Sequence, residues 1–315
     1  MALAQKSSGN APVPPGPAQL LSIVVPTFRR EGYLPPLFAA VAAQIAHHQV
    51  ELVLVDNTPE ASARDTPRPD FVRYIHEPRT GVAHARNRGV AEARGTHVIF
   101  LDDDERPAPG WLDAFAKAAA QGARAAFGAV EPQFEAPPPA ALFAPLDRIF
   151  SRRLPAADGA EVQHLRAYLG SGNSMFARAT LALVAPPFDT SFNAGGEDVW
   201  LFRQLDDQHH IPMLWCPKAL VHEFVPPRRV SMTFLRQRRF SDGQLRCLVE
   251  SDVGGVKAAA RVGLWMAVGA VQLFLFGLAA IVTRPLSHAR SVRYQLAAVG
   301  GAGKLLWWQR KRRTT

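Results

Sequence analysis

The 315-residue sequence is poor in cysteine and lacks several short motifs that identify common protein classes. Cys216 and Cys247 are its two cysteines, so no disulfide framework can form, and no C-x-x-C pair offers a thiolate zinc site. A G-x-x-x-x-G-K-[ST] phosphate loop and an EF-hand pattern are also absent. These absences exclude P-loop, thiolate-zinc and EF-hand chemistry and favour a reducing, cytoplasmic setting.

The N-terminus lacks the apolar core of a secretory signal. Residues 1–18 are small, polar and proline-rich, which predicts a disordered lead and a folded part that stays in the cytoplasm. Over the whole chain, 48% of residues are hydrophobic and 20% are charged. This composition is typical of a folded protein with a sizeable core, not of a disordered one.

Positive charge is concentrated at the end of the chain. Residues 1–227 hold 20 basic and 24 acidic side chains, a net of −4, whereas residues 228–315 hold 16 basic and 3 acidic, a net of +13. No helix-turn-helix, RNP or zinc-finger pattern accompanies the basic residues, so no nucleic-acid partner is predicted. A solvated basic tail remains an alternative, but the residues within this region favour a membrane surface.

The basic region contains a long apolar segment. Val262–Thr283 has 22 residues without a charge, between Arg261 and Arg284, and could cross a hydrocarbon layer of about 30 Å as a helix. A single span would export a tail with eight basic and no acidic residues, against the positive-inside tendency. The segment therefore lies in the plane of the membrane, re-enters it, or is returned by Val292–Trp308.

The last residues are typical of an interfacial anchor. Trp307 and Trp308 are followed by the basic run Arg310–Arg313, a combination suited to anionic lipid. We therefore predict that residues 251–315 form a hydrophobic and basic tail associated with membrane lipids.

Apolar runs alternate with helical patterns in the first half of the chain. The predicted strands are Leu21–Pro26, Glu51–Val55, Phe71–His76 and His97–Leu101, and the predicted helices are Tyr33–Ala46, Val82–Ala93 and Trp111–Ala120. This alternation predicts an α/β fold with a mostly parallel sheet flanked by helices. Asp56 and Asp102 each follow a strand, so both are expected at the carboxyl edge of the sheet, where such folds bind ligands.

A Pro/Ala-rich seam, Pro132–Pro145, is predicted to separate two halves, residues 19–130 and 131–250. Ala125–Val130 and the region Tyr168–Phe176 resemble strands of the second half. A helix is predicted over Glu197–Leu205, and it begins with two acids, which is favourable at a helix N-terminus.

Four consecutive acids end the fourth predicted strand: Asp102, Asp103, Asp104 and Glu105. Their mutual repulsion requires water or a cation. They could simply face solvent, or they could hold Mg²⁺ or Mn²⁺ through one or two carboxylates together with a substrate diphosphate.

Six segments occur in an order typical of one enzyme family: VVPTFRR, VDNTP, HEPRTGVAHARNRG, FLDDDERPAPGW, GGEDVWLFRQL and a later Arg-rich segment. Over about residues 20–245 the chain resembles the inverting family-2 glycosyltransferases of GT-A fold, and among them the bacterial succinoglycan-type exopolysaccharide glucosyltransferases. The resemblance implies a divalent cation and a nucleotide diphosphate sugar, UDP-hexose in particular. It also implies a cytoplasm-facing enzyme at the bacterial inner membrane.

The resemblance also assigns roles to individual residues. Around the donor it implies that Pro26, Thr27 and Arg29 pack against the nucleotide and that Asp56 accepts a hydrogen bond from the base. It also implies that Arg86 and Asn87 lie near the base and the diphosphate. Asp102 and Asp103 are implied as further residues of the donor site. Asp104 is implied as a metal ligand, and His222 as a second one, although an ordinary half-buried histidine is an equal alternative. Asp198 is implied as the general base, with Glu197 competing for that role or holding sugar hydroxyls.

One segment departs from the processive members of the family. Those members carry Q-x-x-R-W, whereas Gln237 here is followed three places on by Phe240, and no tryptophan comes next. One-sugar addition to a lipid-linked saccharide is therefore favoured over chain extrusion. Arg236 and Arg239 could grip the acceptor's diphosphate, or their helix could simply lie on anionic lipid. A nucleotidyltransferase or a non-catalytic saccharide- or membrane-binding protein remains an alternative.

Overall fold

The computed structural model describes residues 20–192, 195–252 and 254–310, so the predicted lead over residues 1–18 and the end of the basic run Arg310–Arg313 lie outside the described residues. Eight strands form one sheet: β1 (Leu21–Thr27), β2 (Val50–Asp56), β3 (Val72–His76), β4 (His97–Phe100), β5 (Glu105–Pro107), β6 (Ala125–Phe134), β7 (Ser174–Ala177) and β8 (Met213–Val225). The helices are α1 (Leu34–Ala42), α2 (Val82–Glu92), α3 (Trp111–Ala120), α4 (Ala140–Phe150), α5 (Arg178–Leu181), α6 (Glu197–Asp207), α7 (Met232–Ser251), α8 (Gly255–Thr283) and α9 (His288–Leu305).

The strand order is β3-β2-β1-β4-β7-β6-β8-β5. The pairs among β1 to β4 are parallel, as is β6 with β8, whereas β7 is antiparallel to both of its neighbours and β5 is antiparallel to β8. Because β2, β1 and β4 are adjacent and parallel, their carboxyl ends meet at one edge. This confirms the prediction that Asp56 and Asp102 both lie at the carboxyl edge of the sheet.

Both faces of the sheet are buried, which explains the near-continuous apolar runs of its central strands. On one face Leu37, Trp111 and Phe115 of α1 and α3 pack against β1, β2 and β4. On the other face Phe127, Phe176 and Phe202 pack edge-on or stacked around the second half of the sheet. These two layers hold the strand ends in fixed positions.

One prediction for the second half is wrong in detail. Tyr168–Phe176 is not one strand, because a short 3-10 helix ends at Tyr168 and a loop precedes β7. The predicted seam Pro132–Pro145 falls on the end of β6, which continues through Phe134, and on the first part of α4, which contains Pro145. Leu142 and Leu146 of α4 are buried against the C-terminal helices, so this segment joins the two parts.

The three C-terminal helices form one packed layer. α8 and α9 run antiparallel, with Phe276 stacked on Tyr294 and the Ser291 hydroxyl donating to the carbonyl of Ala280 over 2.8 Å. α9 packs in turn on α7 and α4. Among the described residues, α8 is the helix long and apolar enough to cross a membrane by length and composition.

Candidate active site

The edge formed by β1, β2 and β4 is built around buried polar side chains. Asp56, at the end of β2, is fully buried. Its carboxylate accepts hydrogen bonds from the backbone amides of Thr58 and Ala63, at 3.1 and 2.8 Å, and from the hydroxyls of Thr58 and Tyr74. Asp56 therefore orders the loop after β2, and its oxygens already have protein donors.

Asp103 and Asp104 are held by arginines distant in sequence. The Thr27 hydroxyl and Arg30 Nη1 donate to opposite oxygens of Asp103, at 2.8 and 2.7 Å. Arg30 Nη1 also lies 2.8 Å from Asp104 Oδ2, which receives Arg229 Nη1 at 3.1 Å. The two arginines thus offset the repulsion between the adjacent carboxylates.

Arg86 joins the two predicted halves of the site. It projects from α2 and is buried, with Nη2 3.3 Å from Asp102 Oδ1 and Nη1 paired with Glu197 at the start of α6. Its guanidinium also lies over the ring of Phe188, 5.7 Å from the centroid. One arginine therefore bridges the acids after β4 and the acids at the α6 N-terminus.

A glycine-containing loop packs against Asp102. A β-carbon at Gly172 would lie 2.5 Å from Asp102 Oδ2 and 3.1 Å from Glu105 Oε1, so only glycine allows this approach. Arg152 fixes the loop by donating to the carbonyls of Gly170, Gly172 and Asn173, and it also donates to the carbonyl of Gly128 in β6. Burial lowers the pKa of Arg152 to about 10, while nearby carboxylates oppose that effect.

Asp198 lies beside the same loop. Its Oδ2 would be 3.9 Å from a β-carbon at Gly170, and its Oδ1 accepts from the backbone amide of Val199 over 2.7 Å. The side chain is half-buried, whereas the neighbouring Glu197 is buried and has an Oε2 without a hydrogen-bond partner among the described residues. Glu197 and Asp198 therefore differ in access: Glu197 is buried and paired with Arg86, and Asp198 is partly exposed.

Two further acids, Glu105 and Glu223, lie beside this group on the strands β5 and β8. Glu105 of β5 accepts from the backbone amide of Asp102 over 2.9 Å, and Glu223 of β8, paired in register with Glu105, contacts Arg229. His222 stands opposite Arg106 in the same register. Since successive strand residues point to opposite faces, His222 faces away from Glu223. Glu223 lies near Asp104, because Arg229 Nη1 contacts both carboxylates.

The remaining predicted residues have structural contacts. The Asn87 amide exchanges two hydrogen bonds with the backbone of Phe188. Arg29 pairs with Glu60 at the exposed rim, and Pro26 lies opposite Val55 in the sheet. Arg236 donates to Gln295 of α9, and the carbonyl of Arg239 faces Gly300 of α9, so both residues lie within the C-terminal layer, at the contact of α7 with α9.

Burial, reinforced by neighbouring acids, shifts several pKa values upward. Burial raises the pKa of Glu197 to about 7, helped by Asp198, and that of Glu223 to about 8, helped by Asp104. Burial likewise raises the pKa of Asp103 to about 6 and that of Glu105 well above its usual range, with Asp102 contributing to the shift of Glu105. A positive charge among these groups would stabilise their ionised forms, so the site favours cationic ligands.

The donor set can be tested against a divalent cation. Within the described ranges, no group of three or more His, Cys, Asp or Glu side chains could hold a metal ion on its own. Mg²⁺ and related ions are commonly held by one or two carboxylates together with substrate phosphates. Asp102 and Asp104 supply such oxygens at the strand end, so the residues fit a cation shared with a phosphorylated substrate.

The sequence identified most of the acids but not Glu223, and it did not identify the three arginines Arg30, Arg152 and Arg229. Arg30 is the second arginine of the VVPTFRR segment and could have been suspected from it. Arg152 and Arg229 carry no comparable local signal, because their roles depend on chain crossings far from the acids.

Comparison with known proteins supports one family. Residues 22–164 match the family described as Glycosyl transferase family 2. The chain is 30% identical over 293 residues to the succinoglycan biosynthesis protein ExoM of Rhizobium meliloti, covering 90% of this chain and 91% of that protein. A shorter match, 35% identical over 91 residues, links it to the uncharacterized glycosyltransferase EpsJ of Bacillus subtilis, covering 27% of this chain and 26% of EpsJ.

The fold is shared with a solved glycosyltransferase. The mannosyltransferase PcManGT from Pyrobaculum calidifontis, solved in complex with GDP-Man and Mn²⁺, superposes with a TM-score of 0.57 at 17% identity, covering 98% of this chain and 92% of that one. The chain therefore has the predicted GT-A architecture, extended by the C-terminal helices.

Proposed function

Since the chain belongs to glycosyl transferase family 2 and is a glycosyltransferase of exopolysaccharide biosynthesis, we propose that it is a metal-dependent inverting enzyme that adds a single sugar. The donor is a nucleotide diphosphate sugar, with UDP-hexose as the first candidate. The acceptor is a hydroxyl of a lipid-linked saccharide at the cytoplasmic face of the bacterial inner membrane.

The observation that carries this proposal is the bridge made by Arg86. It ties Asp102, after β4, to Glu197, one residue before Asp198. Inverting transfer needs positive charge where the diphosphate leaves and a proton acceptor on the opposite face of the sugar. In a cleft with the Asp102–Asp104 edge on one side and Asp198 on the other, a cation held at the edge would supply the first requirement and Asp198 the second.

Asp198 is the better candidate for the general base. Glu197 is buried and paired with Arg86, so accepting a proton there would weaken a buried ion pair. Asp198 is half-buried beside the Gly170 loop and can face an incoming hydroxyl. In the transfer step the acceptor oxygen bonds to the anomeric carbon, the bond to the diphosphate oxygen breaks, and the acceptor proton passes to the Asp198 carboxylate.

The leaving diphosphate is the other half of the mechanism. Asp104, with Asp102, would hold the divalent cation, and the cation supplies positive charge to the departing phosphate oxygens. Arg30 and Arg229 keep the Asp104 carboxylate oriented through Oδ2. Both arginines have half-buried side chains, so they can also lend positive charge to the donor's phosphates.

The test compares two carboxylate variants in donor binding and in transfer. Asp198→Asn should bind UDP and Mn²⁺ in calorimetry as the wild type does, yet lose transfer by at least about a hundredfold. Asp104→Ala should lose the metal-dependent part of UDP binding. Transfer is measured by consumption of a panel of nucleotide sugars, GDP-mannose included, in the presence of a lipid extract.

A surface aspartate provides the control. Asp158 lies exposed in a turn that precedes the loop with Gly170 and Gly172 in the sequence. Asp158→Asn should therefore leave donor binding and transfer unchanged. Near-normal transfer by Asp198→Asn would remove the base assignment. An unchanged metal dependence of UDP binding in Asp104→Ala would remove the assignment of the metal ligand.

A further inference from the structure

The outward face of α8 is apolar over several turns. Seven large side chains on it are between 54% and 72% exposed: Leu264, Val271, Phe274, Leu275, Leu278, Ile281 and Val282. At about 100° per residue these positions fall within an arc of about 120°. An exposed apolar face of this extent is a docking surface in a folded protein.

The opposite side of α8 is committed to α9. Ala258, Val262, Gly269 and Ala280 are buried there, and a β-carbon at Gly269 would lie 2.8 Å from the carbonyl of Gly301. Lys304 Nζ donates to Gln272 Oε1 over 2.8 Å further along the same interface. The apolar face is thus directed away from the catalytic domain and stays uncovered within the described residues.

α9 is itself fixed to the catalytic domain along its length. A β-carbon at Gly303 would lie 2.1 Å from the Phe240 carbonyl of α7, and Val292 and Leu296 pack against α4. If α8 crossed a bilayer, the adjoining helices would have to enter the hydrocarbon with it. The exposed pair Arg238–Asp242 on α7 would be carried along, at a large desolvation cost.

Charge around the apolar face selects the partner. Beyond Asp252 the sequence has ten basic residues and no acidic one. Lys257 and Arg261 flank one end of the face, and Arg284 flanks the other. Between α7, α8 and α9 lies a groove of about 420 Å³. Arg236 and Arg284 line it together with apolar residues that include Ile281 and Val299. This chemistry suits a lipid phosphate with its hydrocarbon chain beside it.

We propose that α8 lies in the plane of an anionic phospholipid surface and does not cross the membrane. Its apolar face enters the boundary of the acyl chains, while the flanking arginines and the groove contact lipid phosphates. This inference rests on the proposed function only in that the acceptor is membrane-bound. It favours the first of the three topologies that the sequence left open.

Labelling of a single introduced cysteine at either end of α8 distinguishes an in-plane helix from a spanning one. The native Cys216 and Cys247 are buried, and positions Val256 and Leu286, near the two ends of α8, are 87% and 78% exposed. The full-length variants Val256→Cys and Leu286→Cys are bound to preformed vesicles containing phosphatidylglycerol. Both should react with an impermeant maleimide added outside. Protection of either one until the vesicles are lysed would overturn the proposal.

A matched pair of phenylalanines tests the face itself. Phe274→Asp should weaken binding to these vesicles by at least about tenfold, whereas Phe143→Asp, on an exposed side of α4, should not. Binding should also fall when phosphatidylglycerol is replaced by phosphatidylcholine. The lipid partner would be refuted if Phe274→Asp bound the vesicles as well as the wild type does. It would also be refuted if the protein formed a stable dimer without vesicles that persisted when lipid was added. Calorimetry with UDP and Mn²⁺ on the same samples reports separately on the proposed function.

Discussion

The catalytic cleft and the C-terminal layer are assembled by opposite means. The cleft buries carboxylates and arginines that come from distant parts of the chain, with Arg86 and Arg152 as its fixed points. The C-terminal layer brings helix backbones together through Gly243, Gly269 and Gly303 and exposes its apolar side. Buried charges thus lie in the catalytic part. Close backbone contacts lie between the C-terminal helices, where they fix the position of the exposed apolar face.

The largest effect on stability should come from breaking the bridge in the cleft. Arg86→Met leaves Glu197 and Asp102 without their shared cation. Removing one partner of a buried ion pair costs about 3–5 kcal/mol, because the remaining charge stays desolvated. We expect a loss of this size in the free energy of unfolding, measured by urea denaturation, together with loss of transfer.

Arg88 on the same helix is the matched control. Its pair with Glu92 is partly exposed, so Arg88→Met should cost about 0.5 kcal/mol or less. The double variant Arg86→Met/Glu197→Gln should recover part of the lost stability, because it removes the stranded carboxylate. Equal unfolding midpoints for Arg86→Met and Arg88→Met would mean that the cleft does not depend on buried charge.

The close helix contacts should respond to a single methyl group. A β-carbon at Gly243 would lie 2.2 Å from the carbonyl of Gly300, a backbone atom that cannot turn aside. Gly243→Ala should therefore destabilise the protein by about 1–3 kcal/mol by forcing α7 and α9 apart. At Gly263, on the open side of α8, a β-carbon meets nothing within 4 Å, so Gly263→Ala should be neutral or stabilising by up to about 1 kcal/mol. Thermal unfolding of the two variants in detergent checks the difference, and equal shifts would contradict it.

Much of the sheet could be predicted because its signals are local. β1 and β4 are apolar runs ended by polar residues, and their predicted bounds agree with the structure to within one residue. β8 escaped prediction because Pro217 and Lys218 interrupt its apolar pattern. The loop before β7 resembled a strand in sequence, but its carbonyls are bound by Arg152, a contact that no local pattern encodes.

The acids of the site could be predicted from the sequence, but the basic residues that pair with them could not. A run of four acids after a strand signals a charged cluster whatever surrounds it. Which basic residue neutralises which acid depends on tertiary crossings, such as that of Arg229 from beyond β8 to Asp104. The orientation of His222 is similarly a matter of strand register, which the sequence does not state.

The smallest effect on stability is expected at the rim of the cleft, where charge is exposed. Arg29 pairs with Glu60 at 2.8 Å, and both side chains are solvent-accessible, so Arg29→Gln should leave the free energy of unfolding nearly unchanged in urea denaturation. If Arg29 contacts the donor nucleotide, as the family resemblance implies, the donor KM should rise by about tenfold while kcat changes little, because a charge-assisted hydrogen bond is lost equally from ground and transition states. Steady-state kinetics over a range of donor concentrations separates the two parameters. An unchanged KM would confine Arg29 to its contact with Glu60, and the functional charge of the cleft would then lie with its buried residues.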